Sequence, residues 1–173
     1  MTGANVHIPT LRTERLVLRP PTRADFAAYA ATFTSPRNAL SASTPTTDFA
    51  RLVYNSDVAD WVFRGFGPWS VDLRDGTLAG HVGLQQPDHF PEPEIGWMLH
   101  DGHEGRGYAT EAARAALAWA RDRIPALVSY VTPANARSVA VALRLGARLD
   151  PDAPLPAGEE PDETHVYRHW GPA

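Results

Sequence analysis

The sequence contains neither cysteine nor lysine, and each absence removes a class of chemistry. Without cysteine, the chain can form no disulfide, no thiol nucleophile and no cysteine-ligated zinc site. Without lysine, it can form neither a Schiff base nor a phosphate-binding loop of the Walker type. All 16 basic residues are therefore arginine, and 20 acidic residues outnumber them, which gives a net charge of -4. This balance argues against nucleic acid as a partner.

Long apolar runs are also missing. No stretch approaches the roughly 20 apolar residues that span a bilayer, and the polar start MTGANVHIPT lacks the build of a signal peptide. We therefore expect a cytoplasmic chain with no membrane partner. Its 173 residues, 43% of them hydrophobic, suit a single domain over residues 1–173. Two segments rich in proline and polar residues, Thr34–Asp48 and Pro151–Glu163, are predicted to be surface loops.

Hydrophobic periodicity predicts six strands and four helices. The strands are predicted at Arg15–Arg19, Pro68–Leu73, Thr77–Leu84, Glu94–Leu99, Leu127–Val131 and Val166–Trp170. The helices are predicted at Ala24–Phe33, Ala50–Phe63, Tyr108–Asp122 and Asn135–Leu145. Asp75 and Gly76 form a hairpin-turn signal, while Asn135 is a typical N-cap and Gly146 a typical helix stop. This order predicts an α/β fold around a mixed sheet.

The segment from Glu94 to Glu111, EIGWMLHDGHEGRGYATE, carries most of the functional signal. In it a predicted strand is followed by a glycine-rich loop, and a helix begins near Gly107. A helix start directs unpaired N–H groups and the positive end of its dipole outward, so it can bind a diphosphate. Arg106 adds a positive charge and Thr110 a hydroxyl. The alternative is a glycine-rich turn that only caps the helix.

Coenzyme A suits this loop better than a dinucleotide does. The dinucleotide-binding pattern fails because Thr110 stands where its third glycine belongs. The run Glu104-Gly105-Arg106-Gly107-Tyr108-Ala109 resembles the pyrophosphate signature of the GNAT N-acetyltransferases, Gln/Arg-x-x-Gly-x-Gly/Ala. Gly107 and Ala109 match this signature, whereas Glu104 replaces the usual glutamine or arginine.

The resemblance covers most of the chain and is to the branch of ribosomal-protein N-terminal acetyltransferases. The segment LRTERLVLR resembles the opening strand of that branch, GPWSVDLRDGTLAGHVGL its central hairpin, and EIGWML the strand beside pantetheine. The sequence NARS followed by LRLGA resembles the final helix motif. The implied fold is the GNAT fold, a mixed and mostly antiparallel sheet with helices on both faces. The sheet is expected to splay between the fourth and fifth predicted strands.

The implied activity is acetyl-CoA-dependent N-acetyl transfer to a primary amine by direct attack. The amine is a protein N-terminus or a small molecule, acetyl-CoA is the cosubstrate, no metal takes part, and a homodimer is one option for the assembly. The rival interpretation is a catalytically weak acetyl-CoA-binding sensor or interaction module. The expected contacts with coenzyme A are Trp97, Met98, Leu99, Glu104, Gly105, Arg106, Gly107, Tyr108, Ala109, Thr110 and Asn135, with the thioester carbonyl held near Met98.

Glu94 and Ser138 are the catalytic residues that the resemblance implies. Glu94 opens its strand where the histone-acetylating branch carries a catalytic base, acting directly or through water; the other interpretation is a solvated carboxylate. Ser138 resembles the group that the branch of ribosomal-protein N-terminal acetyltransferases places near the coenzyme sulfur; the other interpretation is a local bond to the backbone at the helix start. Many family members carry a tyrosine acid where this chain has Ala142.

The acceptor is not identified by any motif. We expect three segments to select it: Thr34–Asp60, Gln85–Pro93 and the tail after Leu149. Their acidic residues would attract a cationic amine: Asp88, Glu92, Glu159, Glu160, Asp162 and Glu163. His100 and His103, with Asp101 and Glu104 beside them, are interpreted as incidental rather than as metal ligands.

Overall fold

The computed structural model describes residues 6–38 and 46–172, which form one eight-stranded sheet and four α-helices. The strands are β1 (Leu11–Arg12), β2 (Leu16–Arg19), β3 (Pro68–Leu73), β4 (Leu78–Gln85), β5 (Glu94–Leu99), β6 (Leu127–Val131), β7 (Arg148–Leu149) and β8 (His165–Trp170). The helices are α1 (Phe26–Phe33), α2 (Thr47–Phe63), α3 (Tyr108–Ala120) and α4 (Ala136–Arg144). Residues 39–45 of the predicted loop Thr34–Asp48 lie outside the described residues.

The sheet is antiparallel except at one place. Its strand order is β1-β2-β3-β4-β5-β6-β8-β7, and β5 and β6 are the parallel neighbours. Strands β4 and β5 pair along six positions, whereas β5 and β6 pair only at Glu94 and Val128. The two strands therefore separate after one pair, and the predicted fold, with its splay between these strands and helices on both faces, is confirmed.

The two faces of the sheet carry different helices because side chains alternate along each strand. Val82 and Leu84 of β4 point to one face and pack with the buried alanines of α3. Alanine has the smallest side chain that still favours a helix, so α3 can approach the sheet closely. Met98 of β5 points to the opposite face, where it packs with the aromatic residues of α1 and α2, among them Tyr29.

Local sequence signals explain most of the connections. Gly76 adopts φ +87° in the β3–β4 turn, and the Leu73 N–H donates to Thr77 O, so the predicted hairpin is confirmed. Asn135 caps α4 by accepting a hydrogen bond from the Ser138 N–H at 3.2 Å. Gly146 follows the end of α4 with φ +86°, as its stop signal predicts.

The structure differs from the sequence prediction mainly at short elements. Strands β1 and β7 have two residues each and were not predicted, because two residues carry no detectable periodicity. Helix α2 begins at Thr47, before its predicted start, because the Thr46 hydroxyl accepts from the Phe49 N–H and caps it. Within the described ranges, none of the helices combines the length and apolar character needed to cross a membrane.

Candidate active site

A cavity of about 870 Å³ opens where β5 separates from β6, on the face covered by α1 and α2. All three segments expected to select the acceptor contribute to its walls. Helix α2 contributes Tyr54 and Asp57, the loop after β4 contributes Phe90, and the segment before β8 contributes Glu159 and Glu163. The floor consists of side chains from β4, β5 and β6, together with the start of α4. The cavity is therefore bounded by parts of the chain that are distant in sequence.

Glu94 lies at the point where the two strands separate. Its side chain is buried, with 7% of the residue exposed, and it lines the cavity. The Gln85 side-chain amide donates to one carboxylate oxygen at 2.5 Å, and the Tyr130 N–H donates to the other at 3.2 Å. Burial raises the pKa of Glu94 to about 7, although both hydrogen bonds act to lower it. A carboxyl with this pKa exchanges a proton readily at neutral pH.

Asp57 is a second carboxylate on the cavity wall, and the sequence analysis missed it. Its carboxylate forms no hydrogen bond or ion pair with any described residue. Burial, followed by repulsion from Asp60 and Glu94, raises the pKa of Asp57 to about 7. A signal was available: Asp57 lies on the inward stripe of α2, between the buried residues Tyr54 and Trp61. A lone charge on an otherwise buried helix stripe indicates a functional or strained position.

His81 of β4 ends a polar network that begins at Arg19. Arg19 donates to both oxygens of Asp25 at 2.8 Å and to Asp72 at 2.6 Å. Although burial raises the pKa of Asp25, hydrogen bonds led by the one from Arg19 hold it well below its usual range. The Ser70 hydroxyl donates to Asp25 at 2.8 Å and lies 3.5 Å from His81 Nδ1. Because the single Ser70 proton goes to Asp25, Ser70 can only accept from His81, which places a proton on Nδ1 and leaves Nε2 as an acceptor.

The glycine-rich loop leads into α3 as the sequence predicts. Gly102, Gly105 and Gly107 have φ values of +81°, +72° and +80°, a conformation that glycine adopts at little cost. Gly107 is the N-cap of α3, so the N–H groups of the first turn have no partner within the helix. Arg106, Gly105 and Gly107 are exposed here, whereas Ala109 is buried against the core.

An ion pair holds this loop against the N-terminal strands. Glu111, in the first turn of α3, accepts from the Thr13 hydroxyl and from the Arg15 N–H and Nε at 2.6 to 2.9 Å. Arg15 also donates to the Arg106 carbonyl at 2.9 Å and lies over the Tyr108 ring. Tyr108 therefore packs between Arg15 and the core, and the loop has a defined position before any ligand binds.

Glu104, which departs from the family signature, pairs with Arg37 from the segment after α1. Arg37 also donates to the Leu99 carbonyl at 2.9 Å, at the end of β5. A positive charge therefore lies beside residue 104 even though that residue is acidic. No sequence pattern predicts this pair, because its two members are far apart in the chain.

Ser138 and Asn135 lie together at the start of α4, and both line the cavity. Asn135 is the cap, and it is the Ser138 N–H rather than the Ser138 hydroxyl that takes part in capping. Ala142, which stands at the usual tyrosine position, is fully buried and packs with Val131 and Tyr167. Among the described residues, no three histidine, aspartate or glutamate side chains form a group able to hold a metal ion.

Comparison with known proteins gives the site a family context. The family described as acetyltransferase (GNAT) domain matches residues 15–148. An acetyltransferase from Agrobacterium tumefaciens of known structure is 46% identical, covers 95% of both chains and has a TM-score of 0.87. The uncharacterized protein YkkB of Bacillus subtilis is 35% identical over 90 residues, which is 48% of this chain and 52% of that protein. The chain thus matches about half the length of this curated relative.

A more distant structure shows the fold alone. It is the ribosomal-protein α-N-acetyltransferase RimL in complex with coenzyme A, with 17% identity and a TM-score of 0.73. The alignment covers 94% of this chain and 98% of that one. At this identity the predicted ribosomal-protein branch is not established, and only the wider family is.

The burial of Asp57, whose carboxylate has no partner among the described residues, predicts a pH-dependent cost in stability. Because its pKa of about 7 exceeds the value of about 4 in an unfolded chain, the native state is favoured at low pH and loses stability as the pH rises through 7. We expect Asp57→Asn to raise Tm at pH 8 by roughly 2–4 °C, equivalent to about 1 kcal/mol. At pH 4 the two proteins should melt together.

Thermal melts of both proteins at pH 4 and pH 8 measure this difference. Asp88→Asn is the matched control, because the Asp88 side chain is fully exposed and should show no gain at either pH. If Asp57→Asn raised Tm equally at pH 4 and pH 8, the raised pKa of Asp57 would be contradicted.

Proposed function

Because the chain belongs to the GNAT acetyltransferase family, we propose that it transfers the acetyl group of acetyl-CoA to a primary amine by direct attack. The observation that carries this proposal is Glu94, a buried carboxylate with a pKa of about 7 at the point where β5 and β6 separate. An amine enters such a site as an ammonium ion and must lose a proton before it can attack. Glu94 is the proposed acceptor of that proton, directly or through one water.

The proposed coenzyme A site is the loop that ends at α3. Backbone N–H groups of Gly105, Arg106 and Gly107, with those of the first turn of α3, would hold the diphosphate. Thr110 adds a hydroxyl, and the exposed Arg106 side chain adds charge. Tyr108 and Ala109 support the turn by packing. The Arg37–Glu104 pair keeps a guanidinium beside the loop, although residue 104 is acidic.

The open edge of β5 is the proposed site of the thioester and the pantetheine arm. The Ile95 carbonyl accepts from the Ser129 hydroxyl at 2.8 Å, so Ile95 directs its backbone groups toward β6. Because backbone groups alternate along a strand, the N–H groups of Trp97 and Leu99 also point toward β6. Both residues lie beyond the Glu94–Val128 pair, where β6 has separated from β5. We propose that these two N–H groups, rather than that of Met98, polarise the carbonyl and bind the arm.

The reaction then balances as follows. One proton passes from the ammonium ion to Glu94, and the neutral amine nitrogen attacks the thioester carbon. The C–S bond breaks, coenzyme A leaves as a thiolate, and the second proton of the nitrogen goes to sulfur. Ser138 is proposed to donate a hydrogen bond to the leaving sulfur. Asn135 positions Ser138 by capping α4 and is proposed to contact the pantetheine amide.

Gly107→Val tests the coenzyme A site. A β-branched side chain at φ +80° strains the turn, and its Cβ would lie 3.4 Å from Arg15, so the donors around the diphosphate should shift. We expect the affinity for coenzyme A, measured by calorimetry, to fall at least about tenfold.

Gly65→Val is the control for backbone strain, since Gly65 has φ +75° and follows α2 at the opposite end of β3 and β4 from the loop. The Gly65→Val variant should lose stability but keep its affinity for coenzyme A. If both folded variants bound coenzyme A equally well, the proposal that this loop binds the diphosphate would be contradicted.

Glu94→Gln tests the proposed base. The amide keeps the size of the side chain but cannot accept a proton, so kcat should fall by roughly 10²–10⁴ with little change in coenzyme A affinity. In the wild-type protein kcat should rise as the pH passes 7 and Glu94 ionises.

In the Glu94→Gln variant that rise should disappear, and the deficit should shrink toward pH 9 as free amine becomes abundant. Asp88→Asn should keep the wild-type pH profile. If kcat of the Glu94→Gln variant still rose as the pH passed 7, the base would have to be a group other than Glu94.

Ser138→Ala tests the leaving-group contact. Loss of a contact made only in the transition state lowers kcat and kcat/KM together, here by about 10–100-fold. Because Asn135 is the cap, the free energy of unfolding should change by less than about 0.5 kcal/mol. Steady-state kinetics and urea unfolding of the same samples separate the two effects. A destabilised variant with full activity would leave Ser138 with a structural role alone.

A further inference from the structure

The charged residues that line the cavity all have one sign. Four carboxylates line it, those of Asp57, Glu94, Glu159 and Glu163, and no arginine does within the part of the chain that the structure describes. The chain nevertheless contains 16 basic residues, all of them arginine. A site with this charge attracts a cationic ligand and repels any ligand that carries a carboxylate or phosphate.

Asp57 is the carboxylate that still needs a partner. Gln85 and Tyr130 bind the Glu94 oxygens, and the Thr164 hydroxyl binds Glu159. Asp57 has no such contact with any described residue, and Glu94 lies near enough to repel it. A shielded carboxylate is costly unless it is paired, and an ammonium ion between Asp57 and Glu94 would relieve both the burial and the repulsion.

His81 provides an independent indication of a cationic ligand. It is buried, with 6% of the residue exposed, it lines the cavity, and its Nε2 has no hydrogen-bond partner within the described chain. The Arg19 network leaves Nε2 as an acceptor, as described above. Burial and the neighbouring His100 keep the imidazole neutral by lowering its pKa to about 3. A neutral acceptor that lines the same cavity as Asp57 and Glu94 is compatible with a ligand that carries N–H donors, as a primary ammonium ion does.

The wall around these groups is aromatic. Tyr29 packs against Phe33, Tyr54 and His81, with ring centroids 4.9 to 5.5 Å apart. Tyr54 also contacts His81, with centroids 5.9 Å apart. Aromatic faces bind apolar groups and also attract cations. These faces carry no positive charge that could pair with a carboxylate, so the carbon body of the amine would contact apolar surface.

A further part of the cavity wall is formed by two segments joined to each other. The loop after β4 and the segment before β8 are linked by the Ala157 N–H, which donates to the His89 carbonyl at 2.9 Å. Phe90, from the first segment, packs on Tyr130 of β6 at 4.9 Å. Together with α1 and α2, these segments bound a cavity of about 870 Å³, which lies within the size range of small-molecule pockets.

We propose that the acceptor is a small primary amine with an apolar or aromatic body and no acidic group, and that Asp57 binds its ammonium ion. The statement that this amine is acetylated rests on the proposed function. The statement that it binds at Asp57 does not, because binding can be measured without turnover. An α-amino acid would place its carboxylate carbon two bonds from the ammonium nitrogen, near Asp57 and Glu94, with no arginine among the described lining residues to neutralise it. Such amino acids should therefore be rejected.

Matched substrate pairs test this specificity. Phenethylamine and hexylamine are each compared with the analogue that bears an α-carboxylate, phenylalanine and 2-aminoheptanoic acid, and phenylalaninamide controls for size without charge. With acetyl-CoA we expect kcat/KM for each amine to exceed that of its acid by about 100-fold or more. Phenylalaninamide should resemble phenethylamine. Equal turnover of acid and amine, or a preference for a phenylalanine-initiated peptide over both, would overturn the proposal.

Asp57→Asn tests the residue. We expect KM for phenethylamine to rise at least about tenfold, while kcat stays within about threefold of the wild-type value. The ratio of kcat/KM for phenethylamine to kcat/KM for phenylalanine should decrease. Coenzyme A affinity should stay unchanged. Asp122→Asn, which changes an exposed carboxylate just after α3 that does not line the cavity, should leave all these values unchanged. An Asp57→Asn variant that keeps the wild-type KM would overturn the assignment of Asp57.

A binding measurement separates this proposal from the proposed reaction. Calorimetry of phenethylamine and hexylamine with the protein saturated in coenzyme A requires no turnover. Asp57-dependent binding without acetylation would overturn the proposed function and support the cation site. Acetylation of acids and amines alike would support the function and overturn this inference. If neither amine binds, the inference is wrong.

Discussion

The separation of β5 from β6 after a single pair is the constraint on which the rest of the site depends. Neighbouring strands normally satisfy each other's backbone groups, and here Glu94 and Val128 are the last residues that do so. Beyond them the edge of β5 is open, a cavity lies on one face, and Glu94 lies at its apex. The hydrogen bonds from Gln85 and Tyr130 to Glu94 connect β4, β5 and β6 at that apex, so the carboxylate also helps to define the gap.

The two substrates would meet at this gap from environments of opposite polarity. The loop before α3 offers backbone N–H groups and arginines, which suit a diphosphate. The cavity on the α1–α2 face offers carboxylates and a neutral histidine, which suit a cation. Under the proposed function, each substrate would be repelled electrostatically from the other's site. Such separation would allow one small fold to bind a highly anionic donor and a cationic acceptor at the same time.

Sequence reasoning predicted the parts of this structure that depend on neighbouring residues. The turn at Gly76, the cap at Asn135 and the glycine-rich loop each follow from the conformational preferences of a few adjacent residues. The position of Glu94 on its strand followed from the resemblance. Asp57 was not predicted because its significance depends on repulsion from Glu94. The sequence of a strand does not indicate which helix will pack over it, so the proximity of these two carboxylates could not be predicted.

The pairing of Glu104 with Arg37 has a consequence for the evolution of this loop. Both side chains are largely shielded from water, so replacing Arg37 would leave Glu104 without this partner, and replacing Glu104 would leave Arg37 with the exposed carboxylate of Asp101 at 3.8 Å, a weaker partner. The two positions are therefore coupled, and exchange of the acidic residue for the glutamine or arginine of the family signature is favoured when residue 37 changes as well. Covariation of these positions, rather than conservation of either one, is the pattern that selection on this contact would leave among relatives.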